Sequence, residues 1–167
     1  MKNRIFPIVF MLVFLLFIAS ISISAQNKQN NQTRYSKQHP KRYNYMKDHL
    51  NQTEANLLQC LKNDNVSITT SAVQTIRVLE EIFPSESFNA YLDPLIAIVQ
   101  NENADTQLRL LSAIALDKLH SDKGDKVIYM VAKNTTNESV KILSQSLAIE
   151  SFKVDDWNRY PVISQKN

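Results

Sequence analysis

Side chains that could carry out chemistry are few and widely spaced in this chain. The three histidines, His39, His49 and His120, show none of the spacings that a metal site uses, and Cys60 has no second cysteine with which to form an internal disulfide. The acidic turn at 122–125 holds too few oxygen ligands for a calcium loop. The sequence contains no glycine-rich phosphate loop and no nucleophile motif. We therefore expect a protein that is not an enzyme and that holds no cofactor and no metal.

Charged side chains that recur at equivalent positions are better candidates for function. Arg109 and Lys141 each follow a residue expected to face inward, so they would form a positive row on neighbouring helices. Thr69 interrupts this row at the equivalent position of the preceding segment. Such a row would suit an acidic protein partner, whereas solvated charges that favour helix ends are the alternative interpretation. The candidate partner-binding residues are Arg109, Lys141, Arg77, Asp117 and Trp157.

An apolar pattern with a fixed period defines the elements that must position these side chains. Two regular copies, the second and third along the chain, are related by one constant offset: Leu95, Ile96, Val99, Leu108, Leu111, Ser112, Ala115 and Leu116 recur as Val127, Ile128, Val131, Val140, Leu143, Ser144, Leu147 and Ala148. A less regular copy precedes both, with Leu57 and Leu61 at the first-helix positions and Ile68 and Ala72 at the second-helix positions. Self-similarity at helical spacing and fixed period predicts stacked helix pairs.

Two segments add a motif to this apolar spacing. Residues 105–116 read DTQLRLLSAIAL and residues 137–144 read NESVKILS, each with a capping residue, then a basic residue, then a small one. This arrangement resembles the second helix of short bacterial HEAT repeats of the PBS-lyase-like kind. Asn65 and Thr69 depart from the family pattern in the first copy. The resemblance covers residues 53–152 and implies a right-handed α-solenoid of three helix pairs that mediates protein–protein interaction.

Capping and helix-breaking residues set the expected bounds of six helices. These helices run over about 52–63, 66–83, 94–102, 106–120, 125–133 and 138–152, with Asn51, Asp93 and Asp105 as N-caps and Pro84 after the second helix. The sequence has one glycine and no sustained alternation of polar and apolar residues, so no strand is expected. The predicted class is all-α.

Residues 1–25 have the composition of an export signal. Two basic residues precede an apolar run from Ile5 to Ala19, and three serines and Ala25 then lead to the polar Gln26. We expect cleavage after Ala25 and a periplasmic or secreted protein, with a bacterial envelope favoured. An uncleaved membrane anchor is the alternative, because about 20 apolar residues can span a bilayer.

The remaining chain divides into three segments by composition. Residues 26–48 carry six basic residues and one acid, which predicts a disordered polar leader; residues 49–152 hold the repeats, and residues 153–167 form an aromatic tail expected to cap the last repeat. Loss of the signal leaves 17 basic against 16 acidic residues, so a nucleic-acid partner is not expected. The basic residues of the leader could bind a polyanion or an acidic lipid, but a solvated leader whose last tyrosines pack on the first helix is the favoured interpretation.

Two classes of function fit these observations. The first is an exported, non-enzymatic scaffold that binds a protein partner on its second helices. The second is a structural or assembly component of an envelope complex. The row of Arg109 and Lys141 favours the first class, with a monomeric protein that makes no membrane contact once its signal is removed.

Overall fold

Helices are the only regular secondary structure in the part of the chain that the structure describes. The computed structural model describes residue 30 and residues 32–151. Its elements are α1 (residues 32–38), α2 (Pro40–Asp48), α3 (Leu50–Leu61), α4 (Val66–Ile82), the 3₁₀ turn η1 (Asn89–Tyr91), α5 (Leu92–Gln100), α6 (Thr106–Lys118), α7 (Asp122–Asn134) and α8 (Glu138–Ser151). No strand occurs among these residues, which confirms the all-α class. The expected signal peptide 1–25 and the expected capping tail 153–167, with Trp157, lie outside the described residues.

The chain divides into two compact units. The described part of the first comprises residue 30 and residues 32–49 and 81–85, and the second comprises residues 50–80 and 86–151. In the first unit the Tyr43 ring lies 5.0 Å from that of the buried Phe83.

The expectation that residues 26–48 form a disordered leader is wrong from residue 32 onward, because residues 32–38 and Pro40–Asp48 form the helices α1 and α2. Composition suggested disorder because aliphatic residues are scarce, but tyrosines supply the contacts instead: the Tyr43 hydroxyl accepts a hydrogen bond from Gln32 Nε2 at 2.9 Å. Aromatic side chains bury large areas and can thus order a segment that has few aliphatic residues.

Helix starts follow the expected capping chemistry in some places only. Asp105 caps α6, since its carboxylate accepts from the Leu108 N–H at 2.9 Å. Asn51 lies inside α3 and Asp93 inside the first turn of α5, so neither is the N-cap that the sequence suggested. The fifth predicted helix also starts earlier than expected, at Asp122, where the Ser121 side chain accepts from the Gly124 N–H.

The single glycine lies in a helix rather than in the expected turn. A Cβ added at Gly124 would be 3.0 Å from Leu116 Cγ and 3.1 Å from Ser121 Oγ. Real Cβ atoms seldom come so close to other atoms, so the missing side chain lets the start of α7 lie against α6.

Burial in the second unit repeats with the period of the apolar pattern. Six pairs of equivalent positions are buried in both copies, namely Leu95 with Val127, Ile96 with Ile128, Val99 with Val131, Leu108 with Val140, Ser112 with Ser144 and Leu116 with Ala148. Leu111 and Leu143 are half-buried at another equivalent pair, so Leu111 fills less of the interior than its register suggested. The small serines suit positions where neighbouring helices approach closely.

Within the second unit, helices pack both inside each pair and against the equivalent helix of the neighbouring pair. α5 packs on α6 and α7 on α8, while α5 also contacts α7 and α6 contacts α8. α3 contacts α5 and η1. Neighbouring pairs therefore share one buried layer. Of the described helices, none has both the length and the apolar composition that a bilayer span requires.

Candidate binding groove

An open groove lies in the second unit near the inter-helix turns. It has a volume of about 500 Å³ and lies where the α3–α4 turn faces α5 and the α5–α6 turn. We call it the turn groove. Its apolar lining is Leu61, Val66, Pro94, Ala97, Ile98, Ala104 and Leu108, and its polar lining is Lys62, Asn63, Asp64, Thr69, Asn101, Asn103 and Asp105.

The apolar floor of the turn groove is accessible to a ligand. Val66 is 46% exposed at the start of α4, Ala97 is exposed on α5, and Ile98 is half-buried. These side chains belong to helices whose other faces are buried, such as that of Val99 in α5. The floor is therefore held by packed helices and does not depend on the turns alone.

Asparagines build both turns at the rim in a similar way. Asn63 Oδ1 accepts from the Asn65 N–H at 2.8 Å, and Asn101 Oδ1 accepts from the Asn103 N–H at 3.0 Å. An asparagine side chain that bonds the backbone two residues on mimics a tight turn. Because the oxygens are engaged in this way, the Nδ2 groups of Asn63 and Asn101 remain as donors, with no hydrogen bond to any described residue.

The second helix of each of the first two copies is tied to the end of its first helix. Buried Thr69 donates from Oγ1 to the Asn63 carbonyl at 2.8 Å. At the equivalent position, Arg109 donates from Nε to the Val99 carbonyl at 3.0 Å. Carbonyls at the C-terminal ends of helices lack intrahelical partners, so these bonds satisfy acceptors while they fix the turns.

Arg109 also joins two turns through Glu102. Its Nη2 donates to Glu102 Oε1 at 2.6 Å and to Thr135 Oγ1 at 3.2 Å. The Glu102 carboxylate in turn accepts from the hydroxyls of Thr135 at 2.8 Å and Thr136 at 3.0 Å. The hydrogen bond from Arg109, followed by that from Thr135, lowers the pKa of Glu102 to about 2. Nearby, Asn137 Nδ2 donates to Thr106 Oγ1 at 2.9 Å, so consecutive copies are linked at their turns.

Arg109 is therefore not the exposed charge that the sequence suggested. Its side chain is fully buried, at 0% exposure, whereas Lys141 at the equivalent position is half-buried. The position one residue after inward-facing Leu108 lies at the edge of the buried face, and the long arginine side chain reaches the end of α5 and the turns, where a carbonyl and a carboxylate receive it. The expected positive row of Arg109 and Lys141 does not form.

The other candidates are dispersed. Arg77 and Asp117 are half-buried, on α4 and α6, and neither lines the turn groove. Asp117 is close enough to Asp125 to raise its pKa, although burial of Asp125 is the larger cause of that shift. Trp157 lies outside the described residues. Among those residues, no three side chains of the metal-binding types converge.

The asparagines of the turn groove were not among the candidate site residues of the sequence analysis. One signal was available: Asn63-Asp64-Asn65 and Asn101-Glu102-Asn103 repeat the pattern Asn-acid-Asn at equivalent places, each starting within two residues of the end of a first helix. A repeated polar motif at equivalent turns indicates a common edge of the array.

Comparison with known proteins gave no significant match to a family model, to a characterised protein or to a solved structure.

Proposed function

We propose that this chain is an exported, non-enzymatic scaffold of HEAT-like helix pairs that binds an extended segment of a protein partner in the turn groove. The observation that carries the proposal is the groove itself, with its exposed apolar floor and its unengaged amide donors. Ligand sites commonly occupy about 300–1,000 Å³ and combine an apolar lining with a few placed polar groups. The groove of about 500 Å³ has both features.

The chemistry of the groove suits a polypeptide ligand. The Nδ2 groups of Asn63 and Asn101 can donate to backbone carbonyls of an extended segment, while Val66 and Ala97 can contact its apolar side chains. Main-chain hydrogen bonds supply affinity in such complexes and side-chain pockets supply selectivity. Binding in the groove replaces binding on the row of Arg109 and Lys141, because Arg109 is buried.

The HEAT-like arrangement is supported by the common spacing of the second and third copies. Val99 and Val131 are buried at equivalent positions, and Asp105 and Asn137 both cap second helices, accepting from Leu108 N–H at 2.9 Å and Val140 N–H at 3.1 Å. Each pair leaves a face that its neighbour covers, as in repeat arrays.

Replacement of each of two alanines by arginine, in separate variants, tests binding in the groove. Ala97→Arg places a long cation on the groove floor, whereas Ala55→Arg makes the same change at an exposed position of α3 outside the groove. Peptides selected from a random displayed library on the wild-type protein should bind Ala55→Arg with unchanged affinity and Ala97→Arg at least tenfold more weakly. Equal binding to both variants would show that the ligand is held elsewhere.

A second candidate function is assembly into a larger complex, and the surface of α8 favours it. Ile142 and Ile149, seven residues apart and thus on one helix face, are 57% and 59% exposed. Sedimentation of the wild-type protein beside an Ile142→Lys/Ile149→Lys variant tests this function. Assembly through α8 requires a concentration-dependent oligomer that the variant loses, and a wild-type monomer at all concentrations would exclude self-assembly by this face.

A further inference from the structure

The first unit contains a bent, strongly basic stretch, residues 32–49, which we call the basic segment. Its backbone hydrogen bonds continue through the bend: the His39 N–H donates to the Tyr35 carbonyl, and the Tyr43 N–H donates to the His39 carbonyl, both at 2.9 Å. The bend occurs at His39, with φ −135° and ψ 56°. The following Pro40 explains it, because proline disfavours the α conformation of the residue before it.

One face of the basic segment is turned inward. Gln32 contacts Tyr43, and the Tyr35 hydroxyl lies 3.9 Å from Met46 Sδ. The two residues of each pair are eleven positions apart, which is close to three helical turns, so all four side chains lie on one face. The bend at His39 brings the α1 and α2 parts of this face into contact. All four are half-buried.

The opposite face is basic and open. Arg34, Lys37, Lys41 and Tyr45 follow one another at intervals of three and four residues, and all are exposed, Tyr45 at 64%. Arg42 and Lys47 are exposed beside this row. None of the five basic side chains makes an ion pair or a hydrogen bond within the described residues, and the only acid of the segment is Asp48.

Like charges three and four residues apart repel each other along a helix. Arg34 with Lys37, and Lys37 with Lys41, are such pairs. An external anion would relieve this repulsion. The open face is thus complementary to an anionic surface.

The shape of this face favours a planar anion over a narrow one. The row from Arg34 to Tyr45 extends about 16 Å, at 1.5 Å per residue, along the outer side of the bend. A convex row can contact a flat membrane surface. Exposed tyrosine rings are enriched at such surfaces, where they lie at the level of the lipid headgroups.

We propose that the open face of the basic segment docks on an anionic phospholipid bilayer, with its basic side chains at the headgroup phosphates and the Tyr45 ring between the headgroups. The proposal goes beyond protein binding in the turn groove and does not depend on it. It replaces the expectation of a leader without membrane contact, because a helix concentrates on one face the charges that a disordered chain would disperse.

Binding to vesicles tests the docking surface directly. The exported form that begins at Gln26 is mixed with vesicles of phosphatidylcholine alone or with equal parts of phosphatidylglycerol. We expect binding to the anionic vesicles only, and loss of that binding when the salt concentration rises from about 0.1 M to about 1 M, because the Debye length falls from about 10 Å to about 3 Å.

Matched variants assign the binding to the segment. Lys37→Gln/Lys41→Gln/Lys47→Gln should weaken binding on the order of 100-fold, since each basic residue near an anionic membrane contributes about 1 kcal/mol, or roughly fivefold. The control Lys62→Gln/Lys123→Gln/Lys126→Gln removes the same charge from exposed positions of the second unit and should change binding little. Circular dichroism should show equal helix content in both.

Three outcomes would overturn the proposal. The first is equal binding to neutral and anionic vesicles, and the second is equal binding by the two triple variants. The third is tighter binding to duplex DNA than to anionic vesicles together with unchanged vesicle binding by Tyr45→Ala, because the open face would then recognise a nucleic acid. In the supporting case, Tyr45→Ala weakens vesicle binding several-fold.

Discussion

Replacing the buried arginine of α6 should destabilise the protein strongly. Arg109→Met keeps most of the side-chain volume but removes the donors to Val99, Glu102 and Thr135. Loss of a partner for a buried acceptor costs about 1–3 kcal/mol, and hydrogen bonds to charged groups contribute about 1.5–3 kcal/mol. The Glu102 side chain is 44% exposed and can be solvated again, and Arg109 Nη1 is buried without a partner in the structure. Both effects reduce the cost, so we expect a loss of about 3 kcal/mol.

The control is the same substitution one repeat later. Lys141 occupies the equivalent position, and its side chain is half-buried and makes no hydrogen bond to a described residue, so Lys141→Met should change stability by less than about 0.5 kcal/mol. Urea unfolding followed by circular dichroism gives both free energies from the midpoints and slopes. If the two variants unfold within about 1 kcal/mol of each other, Arg109 is not the buried tie between the turns, and an exposed positive row again becomes possible.

Three further predictions concern the same turns, the core and the N-terminus. The pKa of Glu102 is lowered from an ordinary 4.5 to about 2, so ionised Glu102 should stabilise the fold by about 1 kcal/mol after solvent screening. This contribution should be complete above pH 4.5 and lost as the pH falls toward 2. Glu102→Gln should therefore flatten that part of the pH profile of the free energy of urea unfolding. Leu116→Ala, at 0% exposure, should cost about 2–5 kcal/mol and half-buried Leu111→Ala distinctly less, and equal melting temperatures of the two variants would contradict the burial pattern. Intact-mass analysis of exported protein should give a chain that begins at Gln26, whereas Met1 still present in a membrane fraction would indicate an anchor.

Much of the helical core could be predicted because it depends on local spacing. The apolar positions of α5 and α6 recur in α7 and α8 at one constant offset, and most of them are buried in both copies. Asp105 also capped α6 as expected, since an N-cap acts within three residues of itself. The start of α7 was missed because Gly124 looks like a turn residue, whereas its lack of a side chain is needed for contact with Leu116, which is eight residues away.

The basic segment was predicted wrongly for a related reason. The composition of a segment gives the number of its apolar residues, but it does not show which distant side chains they pack against. Tyr43 lies against Phe83, forty residues further along the chain, and this contact is not visible in the local composition. Tyrosine-mediated order therefore escaped a prediction that counted aliphatic residues.

The position shared by Thr69, Arg109 and Lys141 shows what a repeat register leaves undetermined. Register fixes the place of the Cβ on the second helix, so all three side chains start at the edge of the buried face. Whether each side chain is buried depends on the acceptors that the nearby turns supply. Thr69 donates to the Asn63 carbonyl, and Arg109 donates to the Val99 carbonyl and to the carboxylate of Glu102. Lys141 makes no such bond to a described residue. The turns vary between the copies while the helices repeat, so the same register position can hold a buried tie or a half-exposed charge. For this reason the candidate site follows the asparagines of the turns, whose side chains are fixed by bonds within two residues, and not the basic residues of the helices.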